Sequence, residues 1–226
     1  MTSDRDATRP IRDSSLWQFY QRRRYAIVFY TLLLTMIVMP VVTTLGLPGS
    51  LMKLLIGACL LAAVMPNATR RTRQALFGAI LLLVLAQFAP EQGSFSKMPS
   101  YVLALIGVAG LIAAAGALRF AVTKPTVNQE TIYAVLSTYL IAGVFFGQIY
   151  WAIEGIHPGS LTGPDPFSDG NAIYYSFVTL ATLGYGDFLP RTAITRGLAT
   201  FEVIGGQLFL AVLVARLIGA FASEEA

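Results

Sequence analysis

Six long apolar stretches, separated by short polar clusters, organise the chain: Tyr25–Leu45, Leu47–Pro66, Gln74–Pro90, Tyr101–Val122, Thr131–Glu154 and Gly197–Ala222. Each approaches the ~20 mostly apolar residues that cross a hydrocarbon core, the second and third being the shortest. The pattern predicts six membrane-spanning helices. It changes between the fifth and sixth. There GIHPGSLTGPDPFSDG, rich in Gly, Pro, Ser and Asp, reads as an irregular outer turret. NAIYYSFVTLAT follows, apolar but only about three turns long at 3.6 residues per turn. It is too short to span and predicts a re-entrant helix with Asp169 or Asn171 near its amino end. A glycine-rich turn, LGYGD, comes next. There is no clear internal repeat.

Composition agrees with this reading. Apolar residues make up 55% of the 226-residue chain and charged residues 12%, about half of the ~25% typical of soluble domains. Much of the surface must therefore face lipid. Lysines and arginines favour cytoplasmic loops. Placing the amino terminus inside puts Arg5, Arg9, Arg12, Arg22, Arg23, Arg24, Arg70, Arg71, Arg73, Arg119, Lys124 and Arg216 on the inner side. Only Lys53, Lys97, Arg191 and Arg196 remain outside. Both termini are expected in the cytoplasm, and the plasma membrane is the expected location. The first apolar run starts late and has no small-residue cleavage pattern, so no cleavable leader is expected. The net charge of +4 reflects basic inner loops facing an anionic leaflet and needs no nucleic-acid partner. Cys59, the single cysteine, lies in the second span and reads as a buried structural residue.

Several local features refine the picture. In DSSLWQFYQRRRY, Asp13 or Ser14 is placed to cap a short helix. Leu16, Trp17, Phe19 and Tyr20, followed by Arg22–Arg24, suit a helix on the inner membrane surface; lipid head-group sensing is the alternative. In the fourth stretch Gly107, Gly110, Ala113, Ala114 and Gly116 permit close helix packing. Its one cation, Arg119, sits near the inner end. His157 in the turret is an ordinary surface histidine or an external pH sensor. Arg216 is placed to snorkel to head groups.

The glycine turn carries the chemistry. Non-helical backbone at membrane depth is tolerated only where protein or water covers it. Alternating Gly with side-chain residues lets successive carbonyls point to one side, where they can replace the hydration shell of a cation. The carboxyl end of the short helix adds partial negative charge there.

Here the sequence resembles the tetrameric potassium-channel family, whose filter reads Thr-Val-Gly-Tyr-Gly. This chain has Thr182-Leu183-Gly184-Tyr185-Gly186, then Asp187. The resemblance extends upstream through YYSFVTLAT, downstream through FLP and into FEVIGGQLFLAVLVARLIGAF. It implies an all-α membrane protein with a re-entrant pore helix and filter between helices five and six, four chains around one pore. The backbone carbonyls of Thr182, Leu183, Gly184 and Tyr185, with the Thr182 hydroxyl, would hold permeant K+; no other cofactor is expected. Tyr175, Val178, Thr179 and Asp187 would support the filter. Leu183 stands where the family usually has Val or Ile. Val178 stands where some relatives carry a glutamate that partners the aspartate, so inactivation is expected to differ, with Tyr175 supplying some of the missing hydrogen bonding. Gly206 falls at the family's hinge position, with Gly205 as the alternative and close packing as the competing role. Leu210, Val214 and Ile218 would line the inner cavity, Val214 or Ile218 forming its apolar constriction. Glu202, an ionisable residue in the outer half of the last span, is expected to brace the pore loop, with ion binding as the alternative.

The resemblance divides the chain into an interfacial segment (1–24), a four-helix membrane domain (25–122), a linker (123–130) and a pore domain (131–226). The voltage-gated branch carries arginines at every third position of the fourth span. One charge, at ~2.3 kcal/mol per 100 mV, gives no steep gating, so weak or absent voltage dependence is expected. The first four spans are a structural collar or a lipid-binding unit. No Walker or GxGxxG motif is present, so no nucleotide-binding module is expected. The function expected is passive potassium-selective conduction, with anionic lipid as a further partner. A nonselective cation channel, a secondary transporter and a non-conducting scaffold subunit are the alternatives. One histidine, one cysteine and no clustered nucleophile leave enzymatic activity without support.

Overall fold

A computed structural model describes residues 15–45, 97–123 and 129–224. Five helices and one two-stranded ribbon are seen among them: α1 (Ser15–Thr44), α2 (Met98–Thr123), α3 (Gln129–Ile156), β1 (Leu161–Thr162), α4 (Asp169–Leu180), β2 (Leu189–Pro190) and α5 (Ala193–Glu224). Asp13, Ser14, Cys59, the expected spans Leu47–Pro66 and Gln74–Pro90, and most of the 123–130 linker lie outside the described residues. Three helices, α2, α3 and α5, are long and apolar enough to cross a membrane. Their 26, 28 and 32 residues run about 40–48 Å at 1.5 Å per residue. In α1 the apolar run is shorter, Tyr25–Val38.

The helix starts differ informatively from the apolar runs. α1 begins ten residues before its apolar run and breaks helical geometry at Arg23 (φ −124°, ψ 22°). The arginine cluster thus sits at the junction of a helical lead segment and the apolar helix. Glu130, in the first turn of α3, accepts the Tyr25 N–H at 3.3 Å just past the break. At the other end, Lys97 Nζ donates to the Ile156 carbonyl at 2.8 Å, satisfying an orphan carbonyl at the end of α3. α5 begins at Ala193 rather than Gly197 because Thr192 and Thr195 cap it reciprocally. The Thr195 N–H reaches Thr192 Oγ1 at 3.3 Å, and the Thr192 N–H reaches Thr195 Oγ1 at 3.2 Å, a hydroxyl version of the capping box.

α3 is the centre of the packing among the described residues. Val28 and Leu32 of α1, Ile106 and Ala114 of α2, and Ile173 of α4 pack around its Ile141, Val144 and Phe145. Small residues make this possible. A Cβ at Gly107 would fall 2.5 Å from Ile149 Cγ1, and one at Gly110 would fall 2.2 Å from the Phe145 ring. The packing stripe expected on the fourth apolar stretch therefore operates at these two glycines and at buried Ala114, while Gly116 faces open space. On its other side α3 receives α4 across Gly143 and Gly147, a G-x-x-x-G pair seated against Phe177 and Ile173.

The turret is more ordered than its composition predicts. β1 and β2 pair antiparallel, Leu161 opposite Pro190 and Thr162 opposite Leu189. The Glu154 carboxylate organises the preceding turn, accepting the Gly159 N–H at 2.7 Å and the Leu161 N–H at 3.0 Å. Buried Thr195 donates to the Ser160 carbonyl at 3.1 Å, fastening the ribbon to the start of α5.

Candidate functional site

The predicted short helix forms as α4, two residues earlier than the apolar pattern implies. Its cap is Ser168, with extended backbone (φ −116°, ψ 169°) and a side chain accepting the Asn171 N–H at 3.2 Å. Asp169 adds negative charge in the first turn, favourable to the helix dipole, and its carboxylate accepts Gln148 Nε2 at 3.2 Å.

The carboxyl end of α4 creates the glycine turn. Ala181 is the cap residue. The Thr182 N–H donates to the Thr179 carbonyl and the Leu183 N–H to the Val178 carbonyl, both at 2.9 Å. This is a Schellman motif, whose first residue past the cap is left-handed and usually Gly. Here that residue is Thr182, at φ 59°. Left-handed backbone costs a non-glycine residue about 1–2 kcal/mol, and a β-branched side chain makes it a genuine outlier. Thr182 is held there by the two cap hydrogen bonds. Such strain gathers at functional sites. Positive φ recurs at Gly184 (58°) and Gly186 (77°), but not at Leu183 or Tyr185. A backbone that reverses hand at each residue keeps successive carbonyls on one side. A row of aligned carbonyls is what a dehydrated cation needs.

Behind the turn, aromatic rings form a wall. Tyr174 lies parallel to Tyr185, ring centres 6.4 Å apart at 8°, and its hydroxyl faces the Asp187 carboxylate. Asp187 also accepts the Phe188 N–H at 3.0 Å. The expected partner of Asp187 was Tyr175; the structure places Tyr174 there instead. Adjacent residues on a helix differ by ~100° in direction. Tyr175 accordingly turns inward and is buried, edge-on to Tyr150 at 4.9 Å. Val178 is buried and contributes its carbonyl to the cap.

Glu202 is fully buried. It accepts the Tyr150 hydroxyl at 2.8 Å and meets the Ser176 hydroxyl at 2.5 Å, while Ser176 also reaches the Gly143 carbonyl at 2.7 Å. One carboxyl thus ties α5 to both α3 and α4. That is the bracing geometry expected of this residue, although its partners were not foreseeable.

The two candidate hinge glycines are placed differently, on a helix that runs unbroken through both. A Cβ at Gly206 would fall 2.6 Å from the Leu180 carbonyl oxygen and 2.9 Å from Leu180 Cδ1; a Cβ at Gly205 meets nothing within 4 Å. Gly205 opens on an apolar cleft of about 280 Å³ whose lining includes Leu118, Val135, Phe209 and Arg216. Gly206→Ala is therefore expected to displace α5 from the end of α4 and lower thermal stability. Gly205→Ala should be neutral or up to ~1 kcal/mol stabilising through helix propensity. Thermal melts of the two purified variants check this, and equal melting points would remove the packing role of Gly206. Leu210, Val214 and Ile218 line up along α5 below the glycines, all exposed. His157 is exposed and serves the turret through its carbonyl, which accepts the Ser160 hydroxyl at 2.6 Å.

Comparison with known proteins bears on this same region. Residues 134–223 match the ion-channel family model. The chain is 32% identical over 96 residues to two-pore potassium channel 2 of Arabidopsis thaliana, covering 42% of this chain and 20% of that one. It is 31% identical over 99 residues to the inward rectifier potassium channel Kirbac3.1 of Paramagnetospirillum magnetotacticum, covering 42% and 31%. It is 28% identical over 78 residues to potassium channel K2 of Plasmodium berghei (strain Anka), covering 33% and 5%. The chain spans a third or less of the length of these relatives. No solved structure matches. The resemblance to pore-loop potassium channels is borne out.

Proposed function

We propose that this protein, whose residues 134–223 match the ion-channel family, is a potassium-selective channel conducting passively across the plasma membrane. The observation that carries the reading is the backbone of Thr182–Gly186. It alternates in hand, and the cap of α4 holds its first residue in a strained conformation. On this reading α4 is the re-entrant pore helix, and the carbonyls of Thr182, Leu183, Gly184 and Tyr185 hold K+.

One strand supplies one wall of a pore, so four copies are required. Two features of the subunit fit that assembly. Leu183 and Tyr185 are 58% and 66% exposed, with little of this subunit to cover them. The apolar window of α3 is 67% buried but that of α5 only 11%, so α5 needs other copies or lipid against it. Gly206 is the proposed hinge and Val214 or Ile218 the constriction. Arg119 is the one charged residue of α2, too little for steep gating. On this reading residues 25–122 are the four-helix membrane domain, a structural collar or a lipid-binding unit, with both termini cytoplasmic and anionic lipid at the inner leaflet.

Purified protein in liposomes tests the proposal with opposed potassium and sodium gradients. Barium-sensitive potassium flux at least tenfold above sodium flux is the expected result. Comparable sodium flux would mean a nonselective channel whose filter Leu183 has loosened, and no flux would leave the scaffold subunit as the better reading.

A further inference from the structure

Gln207 has no role in the account so far. It is the sole polar side chain of α5 between Val203 and Ala215. It follows Gly206, whose close approach to Leu180 brings α5 against the end of α4. From there its Nε2 lies 3.4 Å from Thr182 Oγ1. The side chain is exposed, so packing within the subunit does not account for an amide in an otherwise apolar stretch. Polar side chains at membrane depth face protein or water and tend to be functional.

We infer that Gln207 is a specificity-determining residue that positions the Thr182 hydroxyl. This rests on the channel reading above. A hydroxyl oxygen has two lone pairs. An amide donor on one leaves the other for a cation and fixes which way the oxygen faces. Thr182 is the residue whose backbone strain the α4 cap holds, and Gln207 holds its side chain. Four copies set a ring of amides just inside the innermost ion site, where a cation from the cavity sheds its last waters.

Barium is the probe, being close to K+ in size and doubly charged, so it reports the geometry of that innermost site. The full chain in planar bilayers is compared as wild type, Gln207→Met (similar reach, no amide) and Gln207→Asn (amide retained, one methylene shorter). Both variants are expected to bind barium from the inner side about tenfold more weakly. Their potassium-to-sodium ratio should fall several-fold while the tetramer persists on gel filtration. Block within twofold of wild type in both variants overturns the inference. Loss in Gln207→Met with full retention in Gln207→Asn also overturns it, because polarity rather than reach to Thr182 would then set the site. Absence of barium-sensitive potassium current in wild type overturns the channel reading instead.

Discussion

Gly184→Ala is expected to abolish potassium selectivity. At φ 58° an alanine occupies left-handed backbone at a cost of about 1–2 kcal/mol. In the proposed four-copy pore, roughly 4–8 kcal/mol of strain would gather in a single filter. The chain relieves it by returning residue 184 to negative φ, which breaks the alternation of hand and turns a carbonyl out of line. The steric space is open within the subunit, so the effect comes from the backbone and not from a clash. Leu183→Val is the control. Residue 183 has ordinary backbone, supplies a carbonyl, and should keep most of the wild-type flux ratio. The measurement is the potassium-to-sodium flux ratio of both variants in liposomes, with cross-linking to confirm assembly. Gly184→Ala should lower the ratio at least tenfold. A ratio equal to wild type would mean that alternation of hand is not what aligns the site.

The second large effect is expected at Glu202. Glu202→Ala strands the Tyr150 hydroxyl in a fully buried space, while Ser176, equally buried, keeps the Gly143 carbonyl as its acceptor. An unsatisfied buried group costs about 1–3 kcal/mol, and hydrogen bonds between membrane helices run towards the weak end, about 0.6 kcal/mol on average. A loss of ~2–4 kcal/mol per subunit is the expected sum, including the small cavity. Glu202→Gln should be tolerated. Its amide donates to Ser176, its oxygen accepts Tyr150, and Ser176 gives its one proton to the Gly143 carbonyl. Thermal melts of the solubilised assembly, read beside flux, separate the two variants. If Glu202→Ala melts with wild type, the residue does not brace α4, and its burial needs another cause.

The sequence by itself determined what depends on neighbours along the chain. Apolar runs long enough to span, the short helix before LGYGD, and glycines at alternate positions are local patterns; three of the runs, the short helix and the alternation have counterparts in the described residues. Element boundaries were less legible, because caps compete locally. Ser168 starts α4 ahead of Asp169 and Asn171, and Thr192 starts α5 ahead of Gly197, since a hydroxyl at the residue before the helix can reach the amide three residues on. Gly143 and Gly147 carried a readable small-residue signal that apolar counting alone passes over.

Only the tertiary structure decided the partners. Tyr150 and Ser176 meet Glu202 across 52 and 26 residues of chain, and Gln207 reaches Thr182 across 25. Tyr174 rather than Tyr175 faces Asp187 because helix rotation separates neighbours by ~100°, and the packing of α4 on α3 sets which one turns outward. The strained hand of Thr182 is likewise a product of how α4 ends. A composition can require a cation-binding turn to be covered, but the direction of each side chain is set by helices that come together from distant parts of the chain.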